Sequence, residues 1–597
     1  MEAAATTGST SPRTGSSTIA DLLPRAAELF GDRVAVRSKV DGEWRDRSFA
    51  EVGEIAREIG LGLVDLGIAP GDRVSLLCQT RPEWTYADFG TTMAGAVVVP
   101  IYPTNSPEEC EWVIGDSESV AIFCEDAGQV AKVAQVRERL PKLRHVISIE
   151  PAEGAISLDE LRERGRGRDA AELEARYAKV TKDDPYTIIY TSGTTGPPKG
   201  CVLSHGNYRD VVNMTNERES FGGPDDLVYL FLPLAHSFAL LIQLGAFDNG
   251  TPIAYFGGDT KQIVVELAEC KPTYLPSVPR IFEKIYGLVS ANVDEETLRK
   301  ASEIGGKVED LRIRGEQIPA ELQAAYDQFD EKLFRNVRAA FGGRLREAVT
   351  GAAPIAKEIL EFFWACGVPV MEGYGMTETA TVATTSTPEN HKFGTVGRPL
   401  PGVELKIADD GEILIKGPNI FRGYYNNADA SFGAVVDGWL HTGDLGSIDE
   451  DGYLSITGRK KDIIITAGGK NLTPANIEND MKQTPLVSQA VMHGDRRPYP
   501  VMLITLDEEM VVPWAQQQGI EDTSIPALAR NPKVIAAIQA ELDRVNEKYA
   551  QVEKVKKFFI LDHDFSQETG ELTPSLKVKR NVVNDLYADR FDELYAG

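Results

Sequence analysis

Residues 190–200 read Tyr190-Thr191-Ser192-Gly193-Thr194-Thr195-Gly196-Pro197-Pro198-Lys199-Gly200. Short β-branched runs flank this stretch, Thr187-Ile188-Ile189-Tyr190 before it and Cys201-Val202-Leu203 after it. It therefore reads as a loop joining two strands. Four hydroxyls, glycine-freed backbone N–H groups and one cation, Lys199, suit it to a polyphosphate. A Walker A loop is ruled out, because that pattern places glycine before the lysine and Ser or Thr after it, whereas here Pro198 precedes Lys199 and Gly200 follows. The plain alternative is a solvated Gly/Pro hairpin, which the ordered run of hydroxyl and small residues disfavours.

The rest of the chain sets the scale. At 597 residues it exceeds one hydrophobic core, so at least two domains are expected. A hydrophobic fraction of 42% with 26% charged residues is ordinary for a globular protein. The net charge of −27 opposes nonspecific binding to nucleic acid and to anionic membranes, while leaving room for a locally cationic site. Six scattered cysteines without a C-x-x-C pair suggest reduced thiols in a cytoplasmic protein, with Cys201 read as a core residue of its strand. Residues 1–18 lack an apolar core segment and read as a disordered tail, and no run is long enough to span a bilayer.

From Ile19 helical and strand patterns alternate: a helix over 19–30, a strand from Val34, a helix over 49–66, then strands at Val74–Leu77, Ala96–Pro100 and Val120–Phe123. That rhythm predicts an α/β fold of mainly parallel, helix-covered sheets. Ser204 is positioned to cap a helix. Residues 290–346 mix acids and bases and are expected to form a helical insertion with solvated faces. Asp-Gly pairs at 437–438 and 451–452 mark tight turns of a small β subdomain over about 400–458. A boundary near Gly458-Arg459-Lys460-Lys461 separates residues 19–458 from an α+β unit, 459–597.

Five further segments join the glycine loop: Gly351-Ala352-Ala353-Pro354, Gly373-Tyr374-Gly375-Met376-Thr377-Glu378-Thr379, His441-Thr442-Gly443-Asp444, Gly458-Arg459-Lys460-Lys461-Asp462 followed by Gly468-Gly469-Lys470, and Leu572-Thr573-Pro574-Ser575-Leu576-Lys577. In order and content they resemble the acyl-adenylate-forming enzymes, and among these the AMP-forming long-chain fatty acyl-CoA synthetases. The likeness extends from about Ile19 to the end. It implies two sheets in the large domain, a small mobile C-terminal domain, and a two-step ligation. A fatty acid and ATP would give acyl-adenylate and pyrophosphate, and coenzyme A would then take the acyl group.

The chemistry asks for such residues whatever the family. Joining a carboxylate to the α-phosphate of ATP needs charge neutralisation and alignment more than covalent catalysis. Thr191, Ser192, Gly193, Thr194, Thr195, Gly196 and Lys199 are suited to the β- and γ-phosphates, and Glu378 is a hard ligand for Mg²⁺. The resemblance places Thr191 beside that ion. It sets Gly351, Ala352, Ala353, Tyr374, Gly375 and Thr377 about the nucleotide, Asp444 on the ribose, and Arg459 nearby. Lys577 matches the catalytic lysine, although Leu576 stands where glycine is usual and Lys579 and Arg580 lie close. His236 and Phe238 fall at the acyl pocket, where the apolar run 238–242 fits a tunnel or a buried helix equally. Lys461 would be the hinge, and Gly468 and Gly469 would line the coenzyme A channel.

Competing readings are a fatty acyl-AMP ligase serving a carrier protein, a ligase for another carboxylic acid, and an inactive nucleotide-binding regulator. A fused modular synthetase is disfavoured, no carrier domain being expected after residue 597. No nucleic-acid partner is expected. Peripheral membrane contact and a homodimer are left open.

Overall fold

The computed structural model describes residues 13–191, 197–218, 222–290, 292–573 and 577–596. Two large sheets organise the first part. One has nine strands in the order Arg398–Pro399, Thr384–Thr385, Val370–Tyr374, Glu347–Thr350, Tyr274–Ser277, Val228–Leu230, Ile253–Tyr255, Val34–Val40 and Glu43–Ser48, parallel from 370 through 34. The other has eight, ordered Gly423–Tyr424, Lys199–Ser204, Pro185–Thr191, Val97–Ile101, Arg73–Leu77, Ala121–Cys124, His145–Ser148 and Ile156–Ser157. Its run from 185 to 157 is parallel, while Lys199–Ser204 turns back antiparallel on Pro185–Thr191. The glycine loop is thus a strand-to-strand connection, with Thr191 facing Lys199 in register.

Local signals account for several boundaries. Ser48 and Glu51, and Ser106 and Glu109, form reciprocal capping boxes that start the helices Phe49–Asp65 and Pro107–Asp116. Ser204 caps His205–Glu217 as expected, with Asn207 as its reciprocal partner. The helix Ser237–Asn249 is buried on every side except at half-buried Phe238. A helix apolar all round belongs inside, so the run after His236 is a core helix between the sheets.

Two expectations are corrected. Residues 13–18 are not a disordered tail: Thr14, Ser16 and Thr18 are buried, the Thr14 N–H donates to the Asp248 carbonyl at 3.1 Å, and its hydroxyl binds the Asp248 carboxylate. Their small side chains let the chain lie close over the buried Arg209–Asp248 ion pair. Residues 1–12 lie outside the described residues. The insertion over 290–346 is helical, as Glu295–Ile313, Ala320–Phe329, a π turn Asp330–Phe334 and Arg335–Ala340. It is not merely a solvated appendage. Leu298, Ala301, Val308, Tyr326 and Phe334 enter a core shared with the helix Lys357–Ala365, and a methyl at Gly305 would sit 2.5 Å from the Ala365 carbonyl.

The small β subdomain is an antiparallel sheet of Glu404–Ile407, Glu412–Lys416, Trp439–Ile448, Val435–Val436 and Leu454–Arg459. Asp437 and Gly438 both take positive φ, 52° and 80°, the conformation of the tight turn that their sequence announces. Beyond Lys460 the chain builds separate hydrophobic cores around Val487–His493, Val501–Leu506 and Phe558–Ile560, covered by helices. Among the described residues no helix is long and apolar enough to cross a membrane.

Candidate active site

Asp444 is placed by the register of two strands. Trp439–Ile448 pairs with Leu454–Arg459 so that Asp444 stands opposite Arg459. Arg459 Nε lies 2.7 Å from Asp444 Oδ1, and the Tyr374 hydroxyl donates to Oδ2 at 2.8 Å. Asp444 is 3% exposed, so its charge is compensated in place rather than by solvent. Burial and the adjacent Asp444 charge push the Tyr374 phenol far above its ordinary value.

Glu378 lies in the short turn Thr377–Thr379, just after the strand Val370–Tyr374. It is 7% exposed and accepts the Tyr424 hydroxyl at 2.7 Å through Oε1. The Lys199 ammonium stands 5.2 Å from the centroid of the same Tyr424 ring. The Cys201 thiol is buried, and burial, with the Glu378 charge nearby, pushes it well above its ordinary value. Ala380 and Thr381 follow with φ of 47° and 99°. For a β-branched residue the latter costs on the order of 1–3 kcal/mol, repaid by surrounding contacts. Thr381 bonds the Ser237 carbonyl at 2.7 Å, and a methyl at Gly375 would come 2.1 Å from the Thr381 carbonyl. Only glycine at 375 allows this turn to fold back and present Glu378.

Lys577 reaches the same cleft from the C-terminal unit. It is anchored to Thr573 by the Thr573 N–H to the Lys577 carbonyl at 2.8 Å and the Lys577 N–H to Thr573 Oγ1 at 3.0 Å, next to a bridge between Leu572 and Val578. Lys577 is itself exposed to solvent, yet desolvation by the protein around its ammonium is the main cause that pulls its pKa down to about 8; repulsion from Arg459 and Lys461 adds to this, while Asp444 and Glu378 oppose it. Of its basic neighbours, Arg580 turns away to Glu478, at 2.7 Å, and to the Met492 carbonyl, while Lys579 heads the helix Arg580–Leu586. His236 caps the helix Ser237–Asn249 through Nδ1, which accepts from the Phe238 N–H at 3.2 Å. Burial, with Lys577 facing it, takes its pKa down to about 3, so the imidazole stays neutral.

Gly351, Ala352 and Ala353 follow the strand Glu347–Thr350 at the carboxyl ends of the parallel strands, where open α/β sheets bind ligands. Ala352 takes φ of 66°, and a methyl at Gly351 would meet the Gly373 carbonyl at 3.0 Å, which sets this loop beside Tyr374. The structure therefore assembles Lys199, Glu378, Asp444, Arg459, Lys577 and His236 around one cleft. Gly468 and Gly469 are exposed in the turn between Ile464–Ile465 and Asn471–Leu472, and the structure does not bring them to these residues. Lys461 lies exposed in the turn Lys460–Asp462, whose Lys460 is tied to Asp410 and Glu412. Ser192, Gly193, Thr194, Thr195 and Gly196 lie outside the described residues.

Two residues escaped the sequence reading. Glu372, in register with Thr350, has its carboxyl pushed up to about 8 by burial, and the buried Thr350 hydroxyl has no hydrogen-bond partner among the described residues. An acid ending the apolar run Val368-Pro369-Val370-Met371 was the available signal. Tyr424 gave none, because its contact with Glu378 spans 46 residues. Among the described residues no three acidic, His or Cys side chains gather as a metal cage. One buried carboxylate with a nearby hydroxyl suits Mg²⁺, which takes one or two protein ligands and completes its shell with phosphates and water.

Sequence comparison agrees with this geometry. The pattern of the family described as AMP-binding enzyme matches residues 23–425, and that of the AMP-binding enzyme C-terminal domain matches residues 461–597. A Mycobacterium bovis long-chain-fatty-acid–CoA ligase, FadD15, is 41% identical over 570 residues, 94% of each chain. A Xenopus laevis long-chain-fatty-acid–CoA ligase, ACSBG2, is 33% identical over 97% of this chain and 84% of its own. Among solved structures, the anthranilate CoA ligase AuaEII in complex with anthranoyl-AMP superposes with a TM-score of 0.75 at 20% identity, covering 96% of this chain and 98% of that one. A Mycobacterium tuberculosis fatty acyl CoA synthetase gives 0.62 at 22% identity, covering 96% and 99%.

Proposed function

The chain belongs to the AMP-binding enzyme family, and from that premise we propose that it ligates a long-chain fatty acid to coenzyme A through an acyl-adenylate. The convergence of Glu378, Asp444, Arg459 and Lys577 on one cleft carries the reading. In the first step a carboxylate oxygen attacks the α-phosphorus and the bond to pyrophosphate breaks. Both reactants are anionic, so the step needs a cation between them, and Lys577 supplies it. Asp444 accepts the ribose hydroxyls, Arg459 fixes Asp444, and the Gly351–Ala353 loop with the Tyr374 ring lines the adenine. Glu372 offers a carboxyl beside that loop to the base edge. Glu378 and Thr191 would hold Mg²⁺, which supplies charge neutralisation across the phosphate oxygens when bound. Lys199, with residues 192–196, attends the leaving pyrophosphate.

In the second step the thiol of coenzyme A attacks the acyl carbonyl and AMP leaves. His236, neutral and facing Lys577, borders the carboxylate end of the acyl site, and Phe238 lies beside it. Residues 459–597 are proposed to act as one unit turning at Lys461, bringing Gly468 and Gly469 to the cleft for this step. The supporting observations are the separate cores of that unit and the exposure of both glycines.

The test is a panel of acids of increasing chain length, assayed for AMP release with and without coenzyme A in the wild type and in Lys461→Pro. The wild type is expected to prefer long chains and to need coenzyme A for turnover, and the variant to adenylate without forming thioester. Failure to release AMP or exchange pyrophosphate with every acid would refute the ligase. Normal thioester turnover in Lys461→Pro would refute the hinge.

A pH dependence follows from Lys577. Its pKa near 8 means that the free enzyme loses the required ammonium above about pH 8. The kcat/KM of acid-dependent exchange should therefore fall about tenfold per pH unit beyond that point. Bound ATP restores the charge by attraction, so kcat should hold to a higher pH. Lys577→Arg keeps its charge and should lack the descending limb. A wild-type kcat/KM that stays level through pH 9.5 would contradict the assignment.

A further inference from the structure

The seat of Lys577 depends on how the C-terminal unit rests against the large one. Away from the cleft, the helix Pro279–Ser290 of the large unit faces the start of the helix Glu508–Gln517 of the small one. Arg280 and Lys284 stand one turn apart and so share a face. The Arg280 guanidinium pairs with the Asp507 carboxylate, and the Lys284 ammonium with that of Glu509. Asp507 does two jobs: Oδ2 takes Arg280, while Oδ1 accepts the Met510 N–H at 3.2 Å and caps its helix. The cap fixes the carboxylate in place before docking, which lowers the entropy cost of the pair.

The charges around these pairs extend the match. Lys284 above all holds the Glu509 carboxyl below its usual range, with Lys261 and Arg280 adding to the attraction. The pattern is reversed next to it, where Glu283 of the large unit and Lys482 of the small one line the same groove as these pairs. In a chain of net charge −27, three cations gathered opposite two acids are a local exception to the overall composition. Glu283 is half-buried and Asp507 only 13% exposed, while Arg280, Lys284 and Glu509 stand at the rim in contact with solvent.

We infer that Arg280 and Lys284 are positioning residues: their paired contact with Asp507 and Glu509 holds the C-terminal unit in the orientation that places Lys577 in the adenylation cleft. The inference rests on the proposed adenylating role of Lys577 for its catalytic consequence, and on contact geometry alone for its structural one. Such pairs are individually weak and screened by salt, and a small free-energy bias suffices to shift the population of a docked unit.

The experiment uses the full chain and two readouts. R280E/K284E is expected to lower acid-dependent ATP–pyrophosphate exchange about tenfold, leaving acyl transfer from supplied acyl-adenylate to coenzyme A unchanged. K284E and E509K should each cost about threefold, and K284E/E509K together should return exchange to within about twofold of wild type. The swap avoids Asp507, whose loss would also uncap a helix. Independently of activity, tryptic cutting between Arg459 and Lys461, read by fragment mass, should quicken several-fold in R280E/K284E and return to the wild-type rate in K284E/E509K. Unchanged cutting in R280E/K284E overturns the inference even if no acid supports exchange. Equal loss of exchange and acyl transfer, or failure of the swap to restore either readout, overturns it as well. A wild type without exchange but with the expected proteolysis would refute the catalytic reading and uphold the contact.

Discussion

Lys577→Ala is expected to lower acid-dependent ATP–pyrophosphate exchange by roughly 10²–10³, the cost of losing one preorganised charge stabiliser. Transfer from supplied acyl-adenylate to coenzyme A should stay within about threefold of wild type, since that step starts after the two anions have been joined. Arg580, three residues beyond Lys577, is committed to Glu478 and does not substitute for it. Folding should be spared, because Lys577 is anchored to Thr573 through backbone groups and the Thr573 hydroxyl, not through the lysine side chain. Unequal loss of the two half-reactions is the diagnostic result. Equal loss would mean that Lys577 does not act specifically in adenylation.

Glu378→Gln is expected to cut the same exchange by about 10² while changing the melting temperature little. The amide oxygen can still accept the Tyr424 hydroxyl, and the shape of the Thr377–Thr379 turn is kept. What disappears is the charge that the proposed metal-bound polyphosphate would need. The Mg²⁺ concentration giving half-maximal nucleotide binding should rise, read directly by titration calorimetry rather than by turnover. Unaltered Mg²⁺ dependence in Glu378→Gln would remove the residue from metal binding. A large fall in melting temperature would instead mark it as a structural acid.

Much of the architecture was legible because its signals are local. The cap at Ser204, the Asp-Gly turn at 437–438 and the alternation of strand and helix each act over a few residues. The disordered-tail reading failed at residues 13–18 for the opposite reason. Nothing in Arg13-Thr14-Gly15-Ser16 reveals that Asp248, more than two hundred residues on, accepts two bonds from Thr14. The insertion likewise reads as polar when its charges are counted, yet one face of it is committed to a neighbouring helix.

The sequence by itself determined which residue types stand in which order: a hydroxyl-rich glycine loop, an acid after Gly-Tyr-Gly-Met-Thr, an Asp after His-Thr-Gly, a basic boundary and a late lysine. Order and chemical kind are properties of the chain, and they sufficed for the fold class and the reaction class. Tertiary structure alone decided which lysine faces Asp444 and Glu378, that His236 is held neutral beside it, that Tyr424 holds Glu378 while its ring lies under Lys199, and that Arg280 and Lys284 meet Asp507 and Glu509. Those outcomes depend on strand register and on the meeting of separately packed cores. No local propensity encodes them, because the partners lie tens to hundreds of residues apart, and only burial of the whole chain brings their charges within reach.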